Sequence, residues 1–393
     1  MSIAAELIGR ASSLVPTLRE RASEIDRLGR PDDETIRDLV DTELLKTMVP
    51  RRFGGFEQDW TVGSKVMEAV ASGCGSIGWI MNAYLCTNWT IATFPEDTQS
   101  EVYGSKGFVI GPCPMNPRLG RARRVSGGYQ VTLTAPFGSG VYHSEWAVLC
   151  AMADVEDGEP EENAIPLIML VPRADYSFDM ASWAVLGMRG TGSATLVMKD
   201  AFVPSHRAMD LRLVNAGNGP GAKVNTAPMY RVPLVCGFLL MSGGALIGMA
   251  KHGLEALETS LRSKVYGFTG QTRGHTVGSQ MRLGEVAAYT NAARALVEGD
   301  LRSMMDAVTA GTLTIEDRTR FRLNVGYAAM LCRQAIDAVK DTAGASGLRD
   351  GNPIQDVYRD LHMISGNFGY QIERTRELYG RLRLDMPIDV DEV

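Results

Sequence analysis

The hydrophobic periodicity of this chain changes twice, and the order of those changes constrains the fold more than any other feature. From Ala4 to Leu28 apolar residues recur at helical spacing, with Pro16 as a break or kink. Asp32-Asp33-Glu34 stand before Ile36, Leu39 and Val40, which reads as a helix start. Arg51–Phe56 is turn-like through its paired glycines, and a second helical region runs from Val62 to Thr93. Between Phe108 and Arg207 the spacing shortens to that of strands. Gly127-Gly128 is a hairpin turn signal, Trp146–Met152 and Ile165–Val171 are apolar runs of strand length, and an acidic turn, Asp154–Asn163, separates them. Ala194–Met198 and Ala201–Val203 continue the pattern. Helical spacing then returns in Met229–Leu261, Met281–Val308 and Asp317–Thr342. Gly344–Pro353 is a loop, and Gln355–Arg381 reads as one last helix. The prediction is an α+β chain of three units: helical over 1–107, β over 108–215 and a helical bundle over 216–393.

With 393 residues the chain exceeds one ordinary compact core. A net charge of -6 argues against a nucleic-acid binder, which needs a clustered basic surface. The local exception, Arg118, Arg121, Arg123 and Arg124, reads as a solvated turn or, less simply, a phosphate site. No uninterrupted apolar run reaches the roughly 18 residues of a membrane span, and the N-terminus lacks a signal-peptide pattern, so a cytoplasmic address is expected. The six cysteines form no CxxC pair and lie at no metal-ligand spacing with histidine, so no metal site is expected. No Gly-x-Gly-x-x-Gly follows a predicted strand, which leaves no NAD(P)H site.

Four segments carry a resemblance. They are CGSIGWIMNAY (Cys74–Tyr84), APFGSGVYHSEWAVL (Ala135–Leu149), WAVLGMRGTGSATLVMKDAFVP (Trp183–Pro204) and YRDLHMISGN (Tyr358–Asn367). In this order and at these spacings they resemble the acyl-CoA dehydrogenase superfamily, nearest its two-component flavin monooxygenase branch of aromatic hydroxylases and indole oxygenases. The resemblance implies the acyl-CoA dehydrogenase fold, with a helical N-terminal domain, a central β domain and a four-helix bundle that drives a homotetramer. It implies reduced FAD or FMN delivered by a separate NAD(P)H:flavin reductase, O2 as co-substrate, a flavin C4a-hydroperoxide as oxygen donor and a small electron-rich aromatic substrate. An acyl-CoA or acyl-carrier-protein dehydrogenase with FAD is the alternative, but such an enzyme needs a carboxylate base. Phe368 stands at one of the family's two base positions, and no glutamate lies between Glu162 and Glu255 to supply the other.

The resemblance also assigns site residues. Phe137, Ser139, Trp146, Arg189, Gly190, Thr191, Gly192, Ser193 and Arg273 are expected at the flavin, with the Ser139 hydroxyl donating or accepting at N5 and Arg273 meeting the adenosine part across a subunit interface. Equally, Ser139 could be an ordinary turn serine, 189–193 a plain strand-to-strand turn, and Arg273 a surface residue. Trp79, Asn82, Tyr84 and His143 are expected around the substrate, although aromatic residues at helical spacing are also ordinary core. The aromatic hydroxylases carry a histidine eight residues after the arginine of "RD"; here Asn367 holds that place. His362 is then either a displaced catalytic residue or a structural one. An asparagine in place of a base suits substrates nucleophilic without deprotonation, indole above simple phenols.

Overall fold

The computed structural model describes residues 2–155, 163–265, 267–268, 270–390 and 393. Most of the acidic turn read at Asp154–Asn163 lies outside them.

Helices α1 (Ile3–Ser13) and α2 (Val15–Leu28) are separated where Pro16 occupies the first turn of the second. Asp32 caps α3 (Asp33–Asp41), its carboxylate accepting from Thr35 N at 2.8 Å. The helical region read as continuous from Val62 to Thr93 is two helices, α4 (Trp60–Ala71) and α5 (Gly75–Ala92). The break has a packing cause. A Cβ on Gly73 would lie 2.8 Å from the Leu18 side chain and 3.2 Å from the Val15 backbone, so the chain turns where α2 crosses it. All 18 residues of α5 are buried, which explains why its sequence carries no charge and shows no polar face. Helix α6 (Glu96–Tyr103) follows.

The middle of the chain forms one seven-stranded sheet of β1 (Gly120–Val125), β2 (Gly128–Gly138), β3 (Trp146–Ala153), β4 (Pro166–Pro172), β5 (Ser177–Asp179), β6 (Ala194–Pro204) and β7 (Ala208–Asp210). Its order is β5-β6-β2-β1-β3-β4-β7. The β1–β2 hairpin turns at Gly127, φ +79, as its sequence requires. Strand β1 runs parallel to β3, and the other pairs are antiparallel. The two apolar runs read separately at Ala194–Met198 and Ala201–Val203 are one strand, β6, with Asp200 at positive φ between them. Where β2 meets β6 the register slips between Ala135 and Gly138. That bulge re-aims the residues that follow.

A short helix α7 (Leu211–Asn215) leads to the bundle of α8 (Leu234–Ser263), α9 (Val277–Ala310), α10 (Ile315–Ala343), α11 (Pro353–Ile364) and α12 (Ile372–Arg383). Helix α8 is the axis, packed on α4, α5, α9, α10 and α11. It contains a window apolar and long enough to cross a membrane, but 89% of that window is buried inside the protein. The last helix read as Gln355–Arg381 is interrupted at Ser365–Gln371, where Asn367 caps a single tight turn.

Candidate active site

The bulge in β2 leaves Phe137 at φ +64 with its ring 62% exposed. A β-branched or bulky residue at positive φ is strained and is held only where neighbours enforce it. The Trp183 ring stands 6.0 Å away at 83°, and together the two make an open aromatic platform at the end of β2.

Ser139 follows, 6% exposed. Its turn is held from both sides. The Tyr84 hydroxyl donates to Gly140 O at 3.0 Å, and Gly140 N donates to Thr191 O at 3.0 Å. Gly140 has φ +76, and a Cβ there would lie 2.5 Å from the Tyr84 oxygen. Burial pushes the Tyr84 phenol well above its ordinary pKa, so it stays a neutral donor. Tyr84, expected at the substrate, holds the serine turn through this bond.

The loop 186–193 packs against that turn. Ser139 Oγ lies 2.8 Å from Ser193 Oγ, which lies 2.6 Å from Thr191 Oγ1, and Thr191 Oγ1 donates to Met188 O at 2.8 Å. Met188 N in turn donates to the Asp360 carboxylate on α11. Burial pushes the Asp360 carboxyl up to about 7, opposed by the Met188 N–H and by Arg359. The loop is also tied through Asp26 of α2, which meets Arg359 at 3.2 Å and Arg189 at 3.8 Å, and Arg359 donates to Leu186 O at 2.9 Å. Gly187 and Gly190 are required by close approach. A Cβ on Gly187 would lie 2.1 Å from Arg359 O, and one on Gly190 would lie 2.4 Å from Ile25. The expected group Phe137, Ser139, Thr191 and Ser193 is therefore brought together, with Gly190, Gly192 and Arg189 shaping and anchoring the loop.

Two expected flavin residues lie apart from this group within the single chain, Arg273 being one expected to meet a flavin across a subunit interface. The Trp146 ring is covered by the Arg207 guanidinium at 5.0 Å. Arg273 sits beyond the end of α8 and donates to Ala343 O at 3.1 Å, with its backbone bonded to Lys264 O.

On α5 the two asparagines differ sharply. Asn88 is saturated, donating to Tyr84 O and Val109 O and accepting from Val109 N. Asn82 is 1% exposed, and neither atom of its amide has a partner. Buried amides in native proteins are almost always paired, so an orphaned one points to a missing ligand or water. Trp79, one helical turn earlier on the same face, stands edge-on to Phe238 of α8, with ring centroids 6.4 Å apart. His143 lies outside this group. Its Nε2 meets Asp33 at 2.8 Å, which draws the Asp33 carboxyl below its ordinary pKa and ties the β2–β3 connection to α3.

Asn367 and His362 lie at and just before the chain's last helix break. Asn367 Oδ1 accepts from Gly369 N at 3.0 Å, so this side chain is first a cap. His362 reaches Asp337 on α10 at 2.9 Å and packs at a tilt against the Tyr358 ring. It is two residues from Asp360 and so points away from that carboxyl around α11. The sequence reading missed Asp360 and Phe238. Asp360 carried a legible signal, as an aspartate among the buried positions of an amphipathic helix; Phe238 carried none within an apolar helix. A cavity of about 440 Å³ lies between α2, α5, α8 and α11 and shares Asp360 with the loop, but neither Ser139 nor Asn82 lines it.

The arrangement fits a flavin: an aromatic platform at Phe137 and Trp183, a hydroxyl beside it, and a buried, unpaired amide. It holds no carboxylate where an acyl-CoA dehydrogenase needs one, Phe368 being half-exposed at that position.

Comparison with known proteins agrees. The description "Acyl-CoA dehydrogenase, N-terminal domain" matches residues 14–106, and "Acyl-CoA dehydrogenase, C-terminal domain" matches 240–371. The chain is 31% identical over 381 residues to the flavin-dependent monooxygenase oxygenase subunit HsaA of Rhodococcus jostii, covering 96% of this chain and 98% of that one. It is 30% identical over 383 residues to a pigment production hydroxylase of a Rhodococcus species, covering 98% and 97%. The solved structure of XiaF from a Streptomyces species, in complex with FADH2 and glycerol, superposes with a TM-score of 0.89 at 26% identity, covering 98% of this chain and 96% of that one. The chain belongs to the acyl-CoA dehydrogenase family, in its branch of flavin-dependent monooxygenase oxygenase subunits.

Proposed function

We propose that this protein is the oxygenase component of a two-component system. It takes reduced FAD or FMN from a separate NAD(P)H:flavin reductase, uses O2, and oxygenates a small electron-rich aromatic, indole-like compounds in preference to simple phenols. The reduced flavin supplies the oxygen activation; the chain supplies binding, orientation and exclusion of water. Phe137 and Trp183 offer a surface for the flat ring, and Thr191 and Ser193 set the Ser139 hydroxyl beside it. The unpaired Asn82 amide, one turn from Trp79, would be the polar contact for the substrate, able to accept from a ring N–H or donate to a ring oxygen, with Trp79 and Phe238 as its aromatic neighbours.

The observation that carries the substrate preference is the asparagine that stands at position 367 in place of a histidine base. Asn367 cannot take a proton, while His362 is turned to Asp337. A phenol gains much of its reactivity from losing its proton, whereas indole C3 is nucleophilic as the neutral ring. The relative named for pigment production supports looking for coloured products, since 3-hydroxyindole oxidises in air to indigo.

The test supplies indole, a phenol and an aromatic amine side by side, with one reductase, and measures product against oxygen consumed. Indole turned over with the tightest coupling is expected. A phenol hydroxylated with tight coupling while indole stays untouched overturns the preference. Turnover with NADH and flavin but no reductase overturns the two-component reading.

A further inference from the structure

The hydroxyls behind the flavin platform form a chain with a fixed direction. A hydroxyl has one proton to donate and two lone pairs to accept with. Met188 O can only accept, so the Thr191 proton is committed to it over 2.8 Å. The 2.6 Å contact between Thr191 and Ser193 must then be a donation from Ser193. With that proton spent, the 2.8 Å contact between Ser193 and Ser139 must be a donation from Ser139. Nothing in the chain can reverse cheaply, because the carbonyl at its end has no proton to return. The carbonyl is itself immobilised: Trp183 Nε1 also donates to it at 3.2 Å, and the N–H of the same residue is held by Asp360. Ser139 is therefore left with lone pairs and no free proton.

We infer that Ser193 and Thr191 are specificity-determining residues which make Ser139 an obligate acceptor, and so select reduced over oxidised flavin. This rests on the proposed placement of the flavin beside Ser139. A reduced flavin carries a proton on N5 and donates there; an oxidised flavin presents a lone pair at N5 and needs a donor. An acceptor-only hydroxyl pairs with the first and opposes the second. To donate to oxidised flavin, Ser139 must give up its bond to Ser193, and one net hydrogen bond of this kind is worth roughly a factor of ten in affinity. The enzyme would thus hold the form delivered by a reductase and release the spent form without any movement of the backbone.

The experiment measures dissociation constants of oxidised and, under anaerobic conditions, reduced FAD and FMN by spectroscopic titration of the purified full-length protein. The ratio of the two constants is then compared between wild type and Ser193→Ala. Removing the Ser193 oxygen frees the Ser139 proton, so oxidised flavin should bind better and the preference for reduced flavin should fall about tenfold. Equivalently, the midpoint potential of the bound flavin should drop by about 30 mV, a tenfold change in a two-electron couple. Thr191→Val, which leaves Ser193 free to donate toward Ser139, should shift the ratio in the same direction, and Ser193→Thr should restore it. In a Ser139→Ala background the Ser193→Ala change should have no further effect, because the effect acts through Ser139. A ratio unchanged in both Ser193→Ala and Thr191→Val overturns the inference while leaving the proposed function standing. Failure of the wild type to bind either flavin form overturns the proposed function itself.

Discussion

Asp360 shows what a single buried carboxyl does to this protein. It is 8% exposed, and it bonds Met188 N at the base of the hydroxyl chain. Burial raises its folded pKa to about 7, against about 3.9 for an unfolded aspartate. A carboxyl raised on folding stabilises the native state below the lower value and loses that contribution as pH rises through the higher one. Asp360→Asn keeps an oxygen for Met188 N but cannot ionise. The stability of the wild type relative to this variant should therefore fall between about pH 4 and pH 7, by a few kcal/mol at most, and stay level above. Urea unfolding of both proteins at several pH values reads this directly, and a pH-independent difference would show that Asp360 carries no such shift. The residue scale is also where the sequence was least legible. The motif around Ser139 identified a turn, but not that Tyr84 holds it or that Asn82 lacks a partner, because both facts depend on which face of α5 meets which neighbour. An all-buried helix has no polar face to reveal its orientation.

Among the elements, the α4–α8 contact is the closest made by the bundle axis. A Cβ added at Gly244 would lie 2.1 Å from Ser64 O, a backbone atom that moves only if the helices part. At the adjacent Gly243 the nearest atom is a Val297 methyl at 2.7 Å, which a rotamer change can relieve. Gly244→Ala is expected to destabilise by about 1–3 kcal/mol or more, and Gly243→Ala by less. Equal denaturation midpoints for the two variants would contradict the backbone contact. Helices and strands themselves were largely readable from periodicity, and the errors fell at interruptions. The breaks at Ser72–Cys74 and Ser365–Gln371 contain the glycines and polar residues that announce them, Gly73 in one and Gly366, Asn367 and Gly369 in the other. They were overridden because apolar spacing continues on both sides, and only the crossing of α2, or the cap made by Asn367, decides that the helix stops.

At the level of the whole molecule, the exposed apolar surface of the bundle lies on α9 and not on α8. Helix α8 is spent inside the chain, whereas Val277 and Met281, one turn apart at the start of α9, are 69% and 71% exposed. We propose that this face of α9 meets another copy, consistent with a tetramer or at least a dimer. Light scattering should give a multiple of 42.7 kDa, and Met281→Glu should shift it toward the single chain; a wild-type monomer would refute the proposal. The same spending of α8 has a consequence for synthesis. Helix α5 ends at Ala92 and its partner α8 begins only at Leu234. At translation rates of roughly 5–20 residues per second, a growing chain carries this uncharged, largely apolar segment for about seven to thirty seconds before α8 begins to be made. Ribosome-bound intermediates that end within the sheet should therefore recruit chaperones at α5 and shed them once α8 emerges.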